Sequence, residues 1–153
     1  MKKVITVLLV AFIMIQFFPI DKINPEINPQ MDFVNTKKPS ITVAKILKTS
    51  CYDCHSNETK YPWYADIAPA SWFLKNHIDE GRIKLNFSTW ATYEPKRQAH
   101  KLEESIEMLE KDKMPLESYL LGHPEAKLTP ETKKLLIEYF RQVKQDTEEA
   151  NIF

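Results

Sequence analysis

The sequence predicts an all-α fold, and three observations lead there. Two segments, Lys96 to Lys111 and Thr129 onward, repeat apolar residues at intervals of three and four, which lays one stripe along a helix. No run alternates with the period of two that a half-buried strand needs. Only two glycines, Gly81 and Gly122, occur in 153 residues. Tight hairpins are therefore disfavoured, and glycine-rich phosphate loops are excluded.

Met1-Lys2-Lys3 opens the chain, followed by an apolar run from Val4 to Ile20 broken by Thr6, Gln16 and Pro19. At ~1.5 Å per helical residue the run reaches roughly 25 Å, a little short of the ~30 Å hydrocarbon core of a bilayer. A cleaved signal would end in small residues. This run ends Gln16-Phe17-Phe18-Pro19-Ile20, so residues 1–20 are expected to be an uncleaved transmembrane anchor rather than a cleaved signal. The expected placement is single-pass in the cytoplasmic membrane, with Lys2 and Lys3 inside and a soluble domain in the periplasm. Residues 21–40 hold Pro25, Pro29 and Pro39 with asparagines between them. They have no helical period and are expected to form an extended tether.

Residues 41–145 have the length of one domain. Ser40 can cap a helix from Ile41 to about Ser50, with Val43, Ile46 and Leu47 on its apolar side. A loop, Asn57 to Pro69, carries Tyr61, Pro62, Trp63 and Tyr64. Pro69 then starts a helix through Phe73, Leu74, His77 and Ile78 that Gly81 is expected to close as its C-terminal cap. Asn86 to Trp90 reads as a loop leading into a short turn. Ala99, Leu102, Ile106 and Leu109 mark the inner face of the helix Lys96 to Lys111. A long connection, Asp112 to Leu128, holds Met114-Pro115 and His123-Pro124. Thr129 caps the last helix with Pro130 at its first position, and Leu135, Leu136, Tyr139, Phe140 and Val143 line its inner side. Residues 146–153 are expected to be a polar tail.

Charge is balanced at 21 basic and 21 acidic side chains. Without a basic surplus there is no electrostatic footprint for nucleic acid. The chemistry is concentrated instead in Cys51-Tyr52-Asp53-Cys54-His55. Two thiols three positions apart can each bond a vinyl-derived carbon on one edge of a porphyrin, and the adjoining imidazole then reaches the iron. Cys51 and Cys54 are thus expected to hold one covalent haem c, with His55 as the proximal iron ligand. A thioredoxin-like dithiol would need strands around it. A zinc site would need four ligands, and His77, His100 and His123 are too scattered to supply them. A plain disulfide leaves His55 unexplained.

Met114 is the first candidate for the iron's other face, because Pro115 stiffens its backbone between two amphipathic helices. The alternative for a loop methionine is packing. His77 is the second candidate, although a core histidine is the commoner role on an apolar helix face. Met108 is expected in the core, His123 could reach the haem edge or a propionate, and His100 faces water. Tyr61 and Trp63 follow the motif closely, so they are expected as haem contacts through their rings and polar hydrogens. The same aromatic residues could simply be core.

These segments together resemble a bacterial haem-binding domain family. The resemblance is carried by Cys51 to Thr59, Tyr61-Pro62-Trp63-Tyr64, Asn86-Phe87-Ser88-Thr89-Trp90, Met114-Pro115-Leu116, Ser118-Tyr119, His123-Pro124 and Leu128-Thr129. It covers about Thr42 to Phe140. It implies a small cytochrome-c-like helical fold around one haem, and it strengthens Met114 as sixth ligand. The expected function is single-electron transfer at the outer face of the cytoplasmic membrane, with a redox partner protein that the sequence does not identify. A haem enzyme or sensor with an open sixth position, peroxidase-like or gas-binding, is the alternative.

Overall fold

A computed structural model describes residues 1–150. Among them every regular element is helical. The α-helices are α1 (Lys2–Ile15), α2 (Phe33–Lys37), α3 (Ile41–Ser50), α4 (Tyr52–His55), α5 (Ala70–Lys84), α6 (Pro95–Glu110), α7 (Glu117–Leu120) and α8 (Pro130–Glu149). Short 3-10 turns occupy Trp63–Asp66, Phe87–Thr92 and Pro124–Ala126. The absence of strands follows from the sequence, which offers no alternating run to pair.

α6 and α8 lie antiparallel, as their ion pairs show: Lys144 meets Glu103, Arg141 meets Glu110, and Lys133 meets Asp112. These exposed pairs record the register and add little stability. Burial holds the two helices together. Ala99, Leu102, Ile106 and Leu109 face Leu136, Ile137, Phe140 and Val143 across the contact. Both ends are built as the sequence suggests. The Ser40 hydroxyl accepts from the Val43 amide at the start of α3, and Thr129 and Thr132 form a reciprocal capping box at the start of α8. Ile137 joins the buried face, whereas Leu135 and Met108 turn outward. Met108 was expected in the core, but it falls one position short of the stripe that Leu109 completes.

The expected tether is mostly exposed, but Asp32 and Phe33 within it belong to the core. Asp32 caps α2 by accepting from the Val34 and Asn35 amides, and Lys38 ends it in the left-handed region at φ 47°. Phe33 is fully buried. Its ring lies 4.8 Å edge-on from Trp90 and 5.1 Å from Phe87, and also meets Tyr139 and Phe140. Burying such a ring stabilises the fold by roughly 1.5–3 kcal/mol. The prolines and asparagines around Phe33 hide it from any periodicity search, since one turn of helix is too short to show a period.

Three more expectations change. The first concerns the anchor. α1 has 14 residues, about 21 Å at 1.5 Å each, and no helix among the described residues is long and apolar enough to cross a membrane. The expected single-pass placement is therefore overturned. α1 stops because Gln16 turns to the domain: its side-chain amide donates to the Ala68 carbonyl and accepts from the Ala68 amide. The Trp72 indole donates to the Phe18 carbonyl. Second, Gly81 does not cap α5, which runs on to Lys84. Third, the polar tail is helical through Glu149, with Thr147 buried; its last residues, 151–153, lie outside the described residues.

If α2 is core, Phe33→Ala should cost about 3–5 kcal/mol through the cavity it leaves. Urea unfolding followed by tryptophan fluorescence checks this. A midpoint unchanged from the parent protein would return the segment to the status of a tether.

Candidate functional site

The cysteine motif forms a single turn. The Cys51 carbonyl accepts from the Cys54 amide at 3.3 Å and the His55 amide at 2.9 Å. Positions i, i+3 and i+4 of one turn share a face, so Cys51, Cys54 and His55 are presented together. Tyr52 points the other way, into the core, where it stacks on Phe87 at 5.3 Å and donates to Asp32.

α5 crosses this turn closely enough to explain Gly81. A Cβ there would lie 2.7 Å from the Cys54 carbonyl oxygen, so the glycine permits backbone-to-backbone approach. That approach places two carbonyls beside the imidazole. His55 Nδ1 donates to the Gly81 oxygen at 3.0 Å and the Leu85 oxygen at 3.1 Å. Carbonyl oxygens only accept, so the proton is on Nδ1 and the lone pair is on Nε2. An imidazole so held is the form that binds a metal. Burial lowers the His55 pKa from its usual value, against the two backbone bonds that raise it, so the ring stays neutral and able to ligate.

Both cysteines are free thiols. Burial, with the neighbouring Cys54 second, raises the Cys51 pKa to about 12. Burial and the Asp53 charge raise Cys54 to about 11, while Arg82 pulls the other way. Neither thiol ionises appreciably at neutral pH, which argues against a reactive redox dithiol.

Beside Cys54 a narrow cavity opens, of about 10 Å³. Leu74 and Ile78 of α5 form its apolar wall, and Tyr64, Tyr119 and His123 form its polar wall. The Tyr64 hydroxyl donates to His123 Nε2 at 3.1 Å. His123 Nδ1 faces the Glu125 carboxylate at 3.2 Å, and the Tyr119 ring stacks on the imidazole at 4.3 Å. The Tyr119 hydroxyl donates in turn to Asp53 at 2.7 Å. Burial first, then the nearby Cys54 and Asp53 charges, raises the Tyr64 pKa, and burial with the Asp53 bond raises Tyr119.

The sequence candidates fall unevenly. Cys51, Cys54 and His55 come together. Met114 is half-buried in the turn after α6 and does not line the cavity. Trp63 is 77 % exposed and meets edge-on, at 5.8 Å, the ring of its neighbour Tyr64, which lines the cavity. Tyr61 is half-buried with its hydroxyl enclosed and lacking a partner. His77 bonds the Phe73 carbonyl of its own helix and packs on the exposed Phe73 ring, and it does not line the cavity. His100 is exposed beside Glu104. Leu74 and Tyr119 are wall residues to which the sequence gave no role in the site, and His123, expected at most at the haem edge or a propionate, joins them in the wall. The spacing of His123 and Glu125, two apart beside a proline, was the one available signal.

The donor set fits a haem: paired thiols, a neutral imidazole with Nε2 free, apolar side chains from α5 and an unpartnered tyrosine hydroxyl suited to a carboxylate. The cavity holds about one water, so seating a porphyrin would require its walls to part, and these ride on the turn Trp63–Asp66 and on residues 117–126. A family model described as a haem-binding domain matches residues 10–142. No curated protein and no solved structure matches the chain.

Gly81→Ala should separate α5 from the motif turn and cost about 1–3 kcal/mol, with a fall in haem bound per chain. Gly122→Ala should be mild, because the Cβ would meet only the side chain of Tyr64, at 3.3 Å. Unfolding midpoints and the ratio of haem to protein absorbance check both. Equal effects would remove the close approach as the reason for glycine at 81.

Proposed function

Because the chain belongs to the haem-binding domain family, we propose that it holds one haem c covalently and carries single electrons to or from a protein partner. The observation that supports this reading is the fixed tautomer of His55. Its Nδ1 proton is committed to the Gly81 and Leu85 carbonyls, on a turn whose same face presents both thiols. Cys51 and Cys54 would form the thioether bonds and His55 would hold the iron. Leu74 and Ile78 would pack against the ring, and Tyr61 would offer its hydroxyl to a propionate. Trp63, largely exposed, would cover an outer edge. The bound group supplies a reversible one-electron couple, and the protein tunes it through axial ligands and exclusion of water.

A carrier closes both axial positions of its iron. Met114, from the turn between α6 and α7, is the candidate that the sequence offers for the second position. His123, from the cavity wall, is the candidate that its position offers. Either would leave no room for a substrate at the metal. A haem enzyme or sensor with an open position is favoured by one observation, the polar Tyr64–His123 pair beside Cys54, which could serve as a distal acid–base group.

Haem should remain on the polypeptide through denaturing electrophoresis, and Cys51→Ala or Cys54→Ala should each reduce the haem-stained band several-fold. Colour that acid–organic solvent extracts completely would end the covalent reading. The reduced protein should bind carbon monoxide slowly or poorly; rapid binding to a high-spin ferrous form would decide for the open-site enzyme or sensor.

A further inference from the structure

Two imidazoles in this chain are prepared in the same way, although only one belongs to the cysteine motif. His55 has its Nδ1 proton taken by the Gly81 and Leu85 carbonyls. His123 has Nδ1 3.2 Å from the Glu125 carboxylate. A backbone hydrogen bond first, and the bond with His123 second, hold the Glu125 carboxyl below its usual range. A carboxylate only accepts, so the proton of His123 is on Nδ1 and the lone pair is on Nε2. A histidine oriented by a carboxylate behind it is the arrangement that metal-binding imidazoles use.

The position of His123 matches this preparation. Its side chain is 16 % exposed and lines the cavity together with Cys54. Tyr119 stacks on one face of the imidazole at an interplanar angle of 15° and bonds through its hydroxyl to Asp53, inside the motif turn. The ring is thus tied to the same turn that presents Cys51, Cys54 and His55. Its lone pair is occupied only by the Tyr64 hydroxyl, at 3.1 Å. Tyr64 rides on the Trp63–Asp66 turn, one of the walls that must part to seat a porphyrin, and its departure would free Nε2 toward the cavity.

Met114 shares none of these features. It does not line the cavity, and no hydrogen-bonded group orients it.

We infer that His123 is the second axial ligand of the haem iron, opposite His55, with Glu125 and Tyr119 as its positioning residues. The inference rests on the covalent-haem reading and deepens it. Two imidazole ligands leave the carrier closed and give it a lower reduction potential than an imidazole–thioether pair would, because a thioether favours ferrous iron.

The test uses full-length protein with haem attached in an export-competent host. A pyridine haemochrome assay comes first: absence of thioether-bound haem would be a failure of the covalent reading and would be seen before any variant is made. With haem present, the ferric parent protein should be low-spin and lack the weak far-red sulfur-to-iron band. His123→Gly should keep its covalent haem, become high-spin and bind carbon monoxide at least tenfold faster on reduction. Added imidazole should restore the low-spin spectrum, which a merely unfolded variant would not show. Met114→Leu should leave the spectrum and potential unchanged, and Glu125→Gln should shift the potential without loss of haem. A far-red band in the parent protein that Met114→Leu abolishes and His123→Gly retains would overturn the inference in favour of Met114. A parent protein already high-spin would overturn it in favour of an open position.

Discussion

The contact between Gly81 and the Cys54 carbonyl is the constraint on which the rest of the site depends. Without a side chain at 81, α5 comes close enough for its own carbonyls to reach the His55 ring. That single approach decides the tautomer of the imidazole, its orientation and the wall that Leu74 and Ile78 present one and two turns earlier. A larger residue would push the helix outward by the width of a methyl group, and the Nδ1 bonds would lengthen with it. Hydrogen bonds weaken quickly under such displacement, so the function of the motif is written partly in a helix that begins fifteen residues after it.

A second layer keeps the motif turn from yielding. Arg82, next to that glycine, donates to the Ser56 carbonyl, to the Thr59 hydroxyl and to the Asn24 side chain. Asn57 donates to the Glu26 carbonyl and accepts from Asn86, while its own amide donates to the Ser88 hydroxyl. Tyr52 donates to Asp32. Four stretches distant in sequence, around residues 24–32, 52–59, 82 and 86–88, meet behind the site. Most of these groups are buried or half-buried, where an unmatched polar atom costs about 1–3 kcal/mol. Loss of one partner is therefore felt by several others.

The periodic parts of this fold were legible and the aperiodic parts were not. α6 and α8 announce themselves through Leu102, Ile106, Phe140 and Val143, because long amphipathic helices repeat their pattern often enough to be counted. The caps Ser40 and Thr129 could be read because a hydroxyl before an apolar run has one common use. Phe33 could not, since its burial depends on Phe87 and Trp90, more than fifty residues away. The role of Gly81 is hidden for a similar reason: near the expected end of a helix a glycine suggests a cap, and only the path of the Cys54 backbone shows otherwise. The end of α1 is hidden because the apolar run continues in sequence past the point where Gln16 turns to the domain. For the site, the motif supplied Cys51, Cys54 and His55. The opposite wall is assembled from Tyr64, Tyr119 and His123, and nothing in their spacing records that they meet.

The motif turn and the cavity wall made by Tyr64, Tyr119 and His123 are supported unequally, and this shapes what the chain can do. His55 is held by α5, a helix of 15 residues, and by the polar layer behind the motif. Tyr64, Tyr119 and His123 are held by a four-residue 3-10 turn, a four-residue helix and the connection that follows it. Short turns open at small free-energy cost, whereas a helix packed against the core does not. Entry of a flat, rigid group must therefore displace the second side and leave the first in place. With such a group seated, the Tyr119 bond to Asp53 would be free to re-form, whereas the Tyr64 bond to His123 would stay broken if Nε2 is given to the iron. On the proposed reading, the His55 side is thus set by folding, while the His123 side would be completed only with haem in place.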